Sequence, residues 1–72
     1  MTKTILQIDG MMCGMCEAHI NQALRSVFAV RKIKTSHKKG VSEILSDEPL
    51  DTDKLKRTIQ ETGYILKSVR TE

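Results

Sequence analysis

Apolar residues along this chain recur at two different spacings, and the switches between them cut it into segments. From Thr4 to Asp9 they alternate. Leu6 and Ile8 fall on one face of an extended strand and Ile5 on the other. Gly10 closes that segment. Beyond it Cys16, Ile20, Ala23, Leu24 and Val27 recur as one apolar stripe at helical spacing, which predicts a helix from about Gly14 to Val27. Val30 to Ser36 reads as a second strand with Ile33 pointing inward. His37-Lys38-Lys39-Gly40 reads as a polar turn ending in glycine, a hairpin signal.

Val41 to Ser46 predicts a third strand, with its facing left open: Val41 and Leu45 share one face and Ile44 takes the other. Asp47-Glu48-Pro49 breaks the chain. Leu50 is placed to staple onto Leu55 across an N-cap at Asp51. Leu55, Ile59 and Thr62 form the inner stripe of a second helix, Gly63 supplies its stop, and Tyr64 to Val69 forms a fourth strand. The order β-α-β-β-α-β is that of the ferredoxin-like split βαβ unit. The expected fold is therefore α+β, a four-stranded antiparallel sheet with two helices on one face. No repeat, linker or low-complexity stretch interrupts it, so residues 1–72 are expected to form a single domain. Ile5, Leu45 and Val41 are candidates for the uncovered face, as scattered surface residues or as part of a partner surface.

Composition narrows the picture. Charged residues make up 29% of the chain and aromatic ones 3%, so the core must be aliphatic. At this size a core alone supplies only about 3–5 kcal/mol, and bound metal would add to it. The formal net charge is +3, with Arg31, Lys32, Lys34, Lys38 and Lys39 in one stretch. That stretch reads as a solvated face, or as a surface that steers docking to an acidic protein. Nucleic acid is not expected as a partner, because the stacking aromatics of single-strand readers are missing. No apolar run approaches the roughly 20 residues of a membrane span. Met-Thr-Lys-Thr leads straight into a strand pattern with no signal peptide. A soluble, cytoplasmic protein without membrane insertion is expected, and the start methionine favours a free protein over a domain cut from a larger one. In that compartment two close cysteines point to metal or redox chemistry, not to a structural staple.

The two cysteines, Cys13 and Cys16, lie within Gly10-Met11-Met12-Cys13-Gly14-Met15-Cys16, after a strand pattern and at a helix start. Thiolate, not thiol, is the soft-metal ligand, and a helix start lowers cysteine pKa values. Two soft anionic ligands with no third partner nearby suit a low-coordinate soft cation such as Cu(I). A structural zinc site wants four ligands, whereas His19 and His37 are far apart in sequence and no second cysteine pair exists. A c-type haem site needs histidine straight after the second cysteine, where Glu17 stands. A thiol–disulfide oxidoreductase also carries C-x-x-C after a strand and is the main alternative. Against it, the chain is short, and its only proline, Pro49, precedes the second helix. A third reading is a basic adaptor that docks through Arg31 to Lys39 independently of metal.

The run Gly-Met-x-Cys-x-x-Cys inside this element order resembles the heavy-metal-associated domain family, the small copper chaperones and the metal-binding domains of copper-transporting P-type ATPases. Glu61-Thr62-Gly63-Tyr64 is similar to the loop before the last strand in bacterial members. The resemblance covers nearly the whole chain. It implies a protein that carries Cu(I) and hands it to a copper-transporting P-type ATPase or another copper-accepting protein by ligand exchange. Such a protein is a binding module and not an enzyme, a monomer or a metal-bridged dimer. Cys13 and Cys16 would be the ligands, Met11 would tuck inward to brace the loop, and Tyr64 would stand near the site and limit solvent access. Ag(I), Hg(II) or Zn(II) are further ions such a site accepts. Members that handle Zn(II) often carry an acidic residue before the first cysteine. Met12 stands there, neutral and soft, which favours Cu(I).

The chain also departs from the family pattern. Met12 and Met15 are read as exposed loop methionines, with a weak thioether ligand as the alternative role. His19, one turn beyond Cys16, is read as an exposed helix histidine, with an auxiliary or proton-linked role as the alternative. Thr35, Ser42 and Ser46 stand where the family has apolar strand residues, so the middle hairpin is expected to be offset, bulged or loosely packed. Phe28-Ala29-Val30 replaces a frequent Gly-Val turn.

Overall fold

The structure, a computed structural model of the chain, describes residues 1–12 and 14–72. The elements follow the expected order: β1 (Thr2–Asp9), α1 (Gly14–Val27), β2 (Lys32–Ser36), β3 (Val41–Ser46), α2 (Thr52–Glu61) and β4 (Ile65–Thr71). The strands form one antiparallel sheet in the order β2-β3-β1-β4. This is the ferredoxin-like arrangement. No helix among the described residues is long and apolar enough to cross a membrane.

The core lies between the helices and one sheet face. Leu6, Ile8, Ile33 and Ile44 come from the strands, Ile20 and Leu24 from α1, and Leu55 and Ile59 from α2. The ambiguity of β3 is resolved by register. Ile44 sits opposite Thr4 and Ile33 and points into the core, which turns Val41, Glu43 and Leu45 to the open face. The predicted stripe of α1 needs a correction at its end. Val27 is 39% exposed, and Phe28, just past the helix, packs against the core instead. In α2 the buried stripe is Leu55, Thr58 and Ile59, while Thr62 is the C-cap. Thr58 tolerates burial because its hydroxyl donates to the Lys54 carbonyl at 2.8 Å. The predicted N-cap holds: the Asp51 carboxylate accepts the Lys54 N–H at 3.1 Å.

The middle hairpin is neither offset nor bulged. Its strands pair in unbroken register from Lys32↔Leu45 to Ser36↔Val41. Ser42 and Ser46 are buried and Thr35 half-buried, and each has a hydrogen-bond partner. Thr35 Oγ1 donates its single proton to Asn21 Oδ1 at 2.5 Å, so Ser42, 2.9 Å away, donates to Thr35. Ser46 Oγ donates to the Glu48 carbonyl at 2.6 Å. Strand β2 starts at Lys32, not Val30. Arg31 is held outside it by a two-pronged ion pair with Asp47, and its N–H donates to the Leu45 carbonyl at 2.7 Å.

The irregularity lies between β1 and β4. Ile8 faces Leu66 and Leu6 faces Val69, with the register shift between Gln7 and Ile8. Leu66 and Val69 are three apart and fall on opposite faces of a regular strand. One extra residue in β4 brings both onto the core side.

Candidate metal centre

Three segments meet at one end of the sheet. Strand β1 ends at Asp9 opposite Ile65, the first residue of β4, and Gln7 lies opposite Val41, the first of β3. The loop leaving β1, the β2–β3 turn and the α2–β4 turn therefore share that end. The β2–β3 turn is tied to β1 by the Ile8 N–H, which donates to the Gly40 carbonyl at 2.8 Å. Gly10, at φ +99°, turns the chain out of β1 in a conformation that side chains other than glycine rarely adopt.

Cys16 sits in the first turn of α1 and is half-buried. The Met12 backbone N–H points at its sulfur, with N···Sγ at 3.5 Å. Cys13, the other predicted ligand, lies outside the described residues. Met11 is half-buried and packs against the core. Met12 and Met15 stand out into solvent, 84% and 68% exposed. His19 is exposed and lines a shallow groove with Gln22, Ala23, Ser26 and Thr62. Asp9 is exposed and faces Lys67 at 3.9 Å.

Tyr64 is placed by the helix stop that the sequence predicts. The Tyr64 N–H donates to the Ile59 carbonyl at 3.2 Å and the Gly63 N–H to the Gln60 carbonyl at 3.0 Å. This double closure needs a left-handed residue at its bend, and Gly63 supplies it at φ +95°. The turn delivers the half-buried Tyr64 ring to the core edge beside Gly10, where a Cβ on Gly10 would lie 3.5 Å from Tyr64 Cδ1.

One pair near Cys16 escapes sequence reasoning altogether. Glu17 Oε2 accepts the His37 backbone N–H at 2.8 Å and lies 2.7 Å from His37 Nδ1. A carboxylate only accepts, so Nδ1 carries the proton. The His37 N–H first, and then its imidazole, hold the Glu17 carboxyl below its ordinary range. Glu17 and His37 are 20 residues apart, and only the packing of α1 against the hairpin joins them. Among the described residues no group of three or more His, Cys, Asp or Glu side chains is placed to hold a metal ion.

The profile of the heavy-metal-associated domain matches residues 5–64. The chain belongs to the heavy-metal-associated domain family. A mercuric reductase of Shewanella putrefaciens is 32% identical over 63 residues, covering 88% of this chain but 11% of the reductase. The chain thus spans only a small part of that enzyme. The copper chaperone CopZ of Staphylococcus aureus (strain Newman) is 29% identical over 65 residues, 89% of this chain and 96% of CopZ. The yeast copper transporter domain solved in its apo and Cu(I)-loaded states superimposes with a TM-score of 0.80. It is 26% identical, with 94% of this chain and 97% of that domain covered. As a heavy-metal-associated domain, this chain is related to copper chaperones and to the metal-binding domains of transporters.

Proposed function

We propose that this domain binds Cu(I) through the thiolates of Cys13 and Cys16 and passes it to a partner protein. It acts as a carrier and not as an enzyme. The observation that carries this reading is the setting of Cys16: a half-exposed sulfur in the first turn of α1, with the Met12 N–H directed at it. The donor set fits the ion. Cys13 stands three residues before Cys16, so the pair offers two soft anions. Among the described residues alone, no group of three or more His, Cys, Asp or Glu is placed to cage a harder ion. Met11 braces the loop from the core side and Tyr64 limits solvent access. Met12, Met15 and His19, all exposed, serve at most as auxiliary groups.

Transfer follows from an accessible two-thiolate site. An incoming thiolate adds to the ion to give a three-coordinate intermediate, one of the original thiolates then leaves, and a second exchange of the same kind releases the other. The ion is never bare in water, so exchange is fast although affinity is high. The partner is a copper-transporting P-type ATPase or another copper acceptor, and the compartment is the cytoplasm. Lys38 and Lys39 lie in the β2–β3 turn, at the site end of the sheet, and steer an acidic partner surface toward it. The likeness to part of a mercuric reductase extends the soft cargo to Hg(II), as the same ligands suit Ag(I) and, less well, Zn(II).

The test is a Cu(I) competition titration against a chromogenic chelator, under reducing conditions. Uptake is expected at one ion per monomer or per thiolate-bridged dimer. It should be lost in both Cys13→Ser and Cys16→Ser. Undiminished uptake by either variant would refute the assignment.

A further inference from the structure

We infer that the Glu17–His37 pair is a positioning clasp that fixes the turn carrying Cys16 for metal binding. The inference rests on the proposed metal site and concerns residues to which that proposal gives no role. Glu17 follows Cys16 directly in the first turn of α1. One of its oxygens accepts from the His37 backbone at 2.8 Å and faces His37 Nδ1 at 2.7 Å. Both side chains are only 29% exposed, so solvent competes weakly for the two bonds. Each bond has a charged acceptor and is stronger than a neutral one.

The other end of the clasp is anchored. His37 opens the β2–β3 turn, whose Gly40 N–H donates to the Ser36 carbonyl at 2.9 Å and whose Gly40 carbonyl accepts from Ile8 at 2.8 Å. Ile8 is a core residue of β1, two positions before Gly10. A continuous path thus runs from the Cys16 turn through Glu17, His37 and Gly40 to the strand that launches the metal loop. The first turn of a helix lacks partners for its own N–H groups and frays most easily. Here a side chain from that turn is pinned to the sheet. A ligand that must hold a set position while its partner thiolate is exchanged needs such support from outside its own loop.

The clasp makes a prediction about which nitrogen matters. Asparagine places an amide donor where His37 has Nδ1, whereas glutamine places it where His37 has Nε2. The experiment compares His37→Ala, His37→Asn and His37→Gln with wild type in two readouts. The first is amide hydrogen exchange of Ala18 to Ile20 in the metal-free protein. The second is the rate of Cu(I) loss to a chelator from the loaded protein. Exchange and Cu(I) loss should both rise about fivefold to tenfold in His37→Ala and His37→Gln and return near wild type in His37→Asn. The inference is overturned if His37→Ala leaves exchange unchanged, or if Asn rescues no better than Gln. It is also overturned if exchange responds while Cu(I) loss does not. A wild-type protein that takes up no Cu(I) removes the metal reading and this inference with it. Normal Cu(I) uptake with indifferent variants removes the clasp alone.

Discussion

Among the described residues, Thr4 is the one place where the core works against itself. It faces inward in the middle of the sheet, between Ile44 and Thr71, and is 1% exposed. Its hydroxyl is buried and finds no hydrogen-bond partner among the described residues. A buried hydroxyl without a partner costs about 1–3 kcal/mol. Valine has the same branched shape and suits a strand equally well, so Thr4→Val removes that cost and opens no cavity. In a domain of this size 1 kcal/mol moves the Tm by about 4–8 °C. Thr4→Val should therefore raise the Tm by at least about 4 °C in thermal unfolding followed by circular dichroism. Thr4→Ser keeps the hydroxyl and deletes a methyl group, so it should lose about 1 kcal/mol and lower the Tm. Ser42 supplies the control. Its hydroxyl is equally buried but bonded to Thr35 at 2.9 Å, so Ser42→Ala should cost about 1 kcal/mol. A Thr4→Val protein no more stable than wild type would mean that the hydroxyl is partnered after all.

Asp51→Ala removes the side-chain acceptor of the α2 cap and should cost about 1 kcal/mol, read as a lower urea midpoint at unchanged m. The Asp47 carboxyl is held below its ordinary value of 3.8, first by the Arg31 hydrogen bond. A carboxyl lowered on folding adds stability that is present above the ordinary value and is lost as pH falls through the lowered one. Asp47→Asn should therefore be less stable than wild type at pH 7, and the gap should close as the pH falls well below 3.8. A Tm gap that persists unchanged into acid would contradict the ion pair as its source.

Most of the fold was legible because its elements announce themselves locally. Helix α1 and strand β3 carry the predicted limits. The Asp51 cap and the Gly63 stop act through backbone bonds that neighbours in sequence can make. What escaped is what depends on residues distant in sequence. Ser42 and Thr35 look wrong for a core until Asn21 from α1 is laid against them. The spacing of Leu66 and Val69 breaks the alternation of a strand, and that break was the available signal for the bulge. Val27 holds a stripe position, but the chain bends at the helix end and Phe28 fills the space. At the candidate site, the motif pointed to the cysteine pair and its flanking methionines. The Glu17–His37 pair gave no comparable sign, because a lone acidic and a lone histidine 20 residues apart become neighbours only when α1 packs on the hairpin.

In the proposed function, a pair of sulfur anions selects a soft monovalent ion. Intact-protein mass spectrometry under native, reducing conditions decides this, with Cu(I) and Zn(II) supplied together in equal amounts. A single Cu(I) adduct per monomer or thiolate-bridged dimer is expected, and apo protein for both Cys13→Ser and Cys16→Ser. A dominant Zn(II) adduct, or a Cu(I) adduct that survives either substitution, would contradict it.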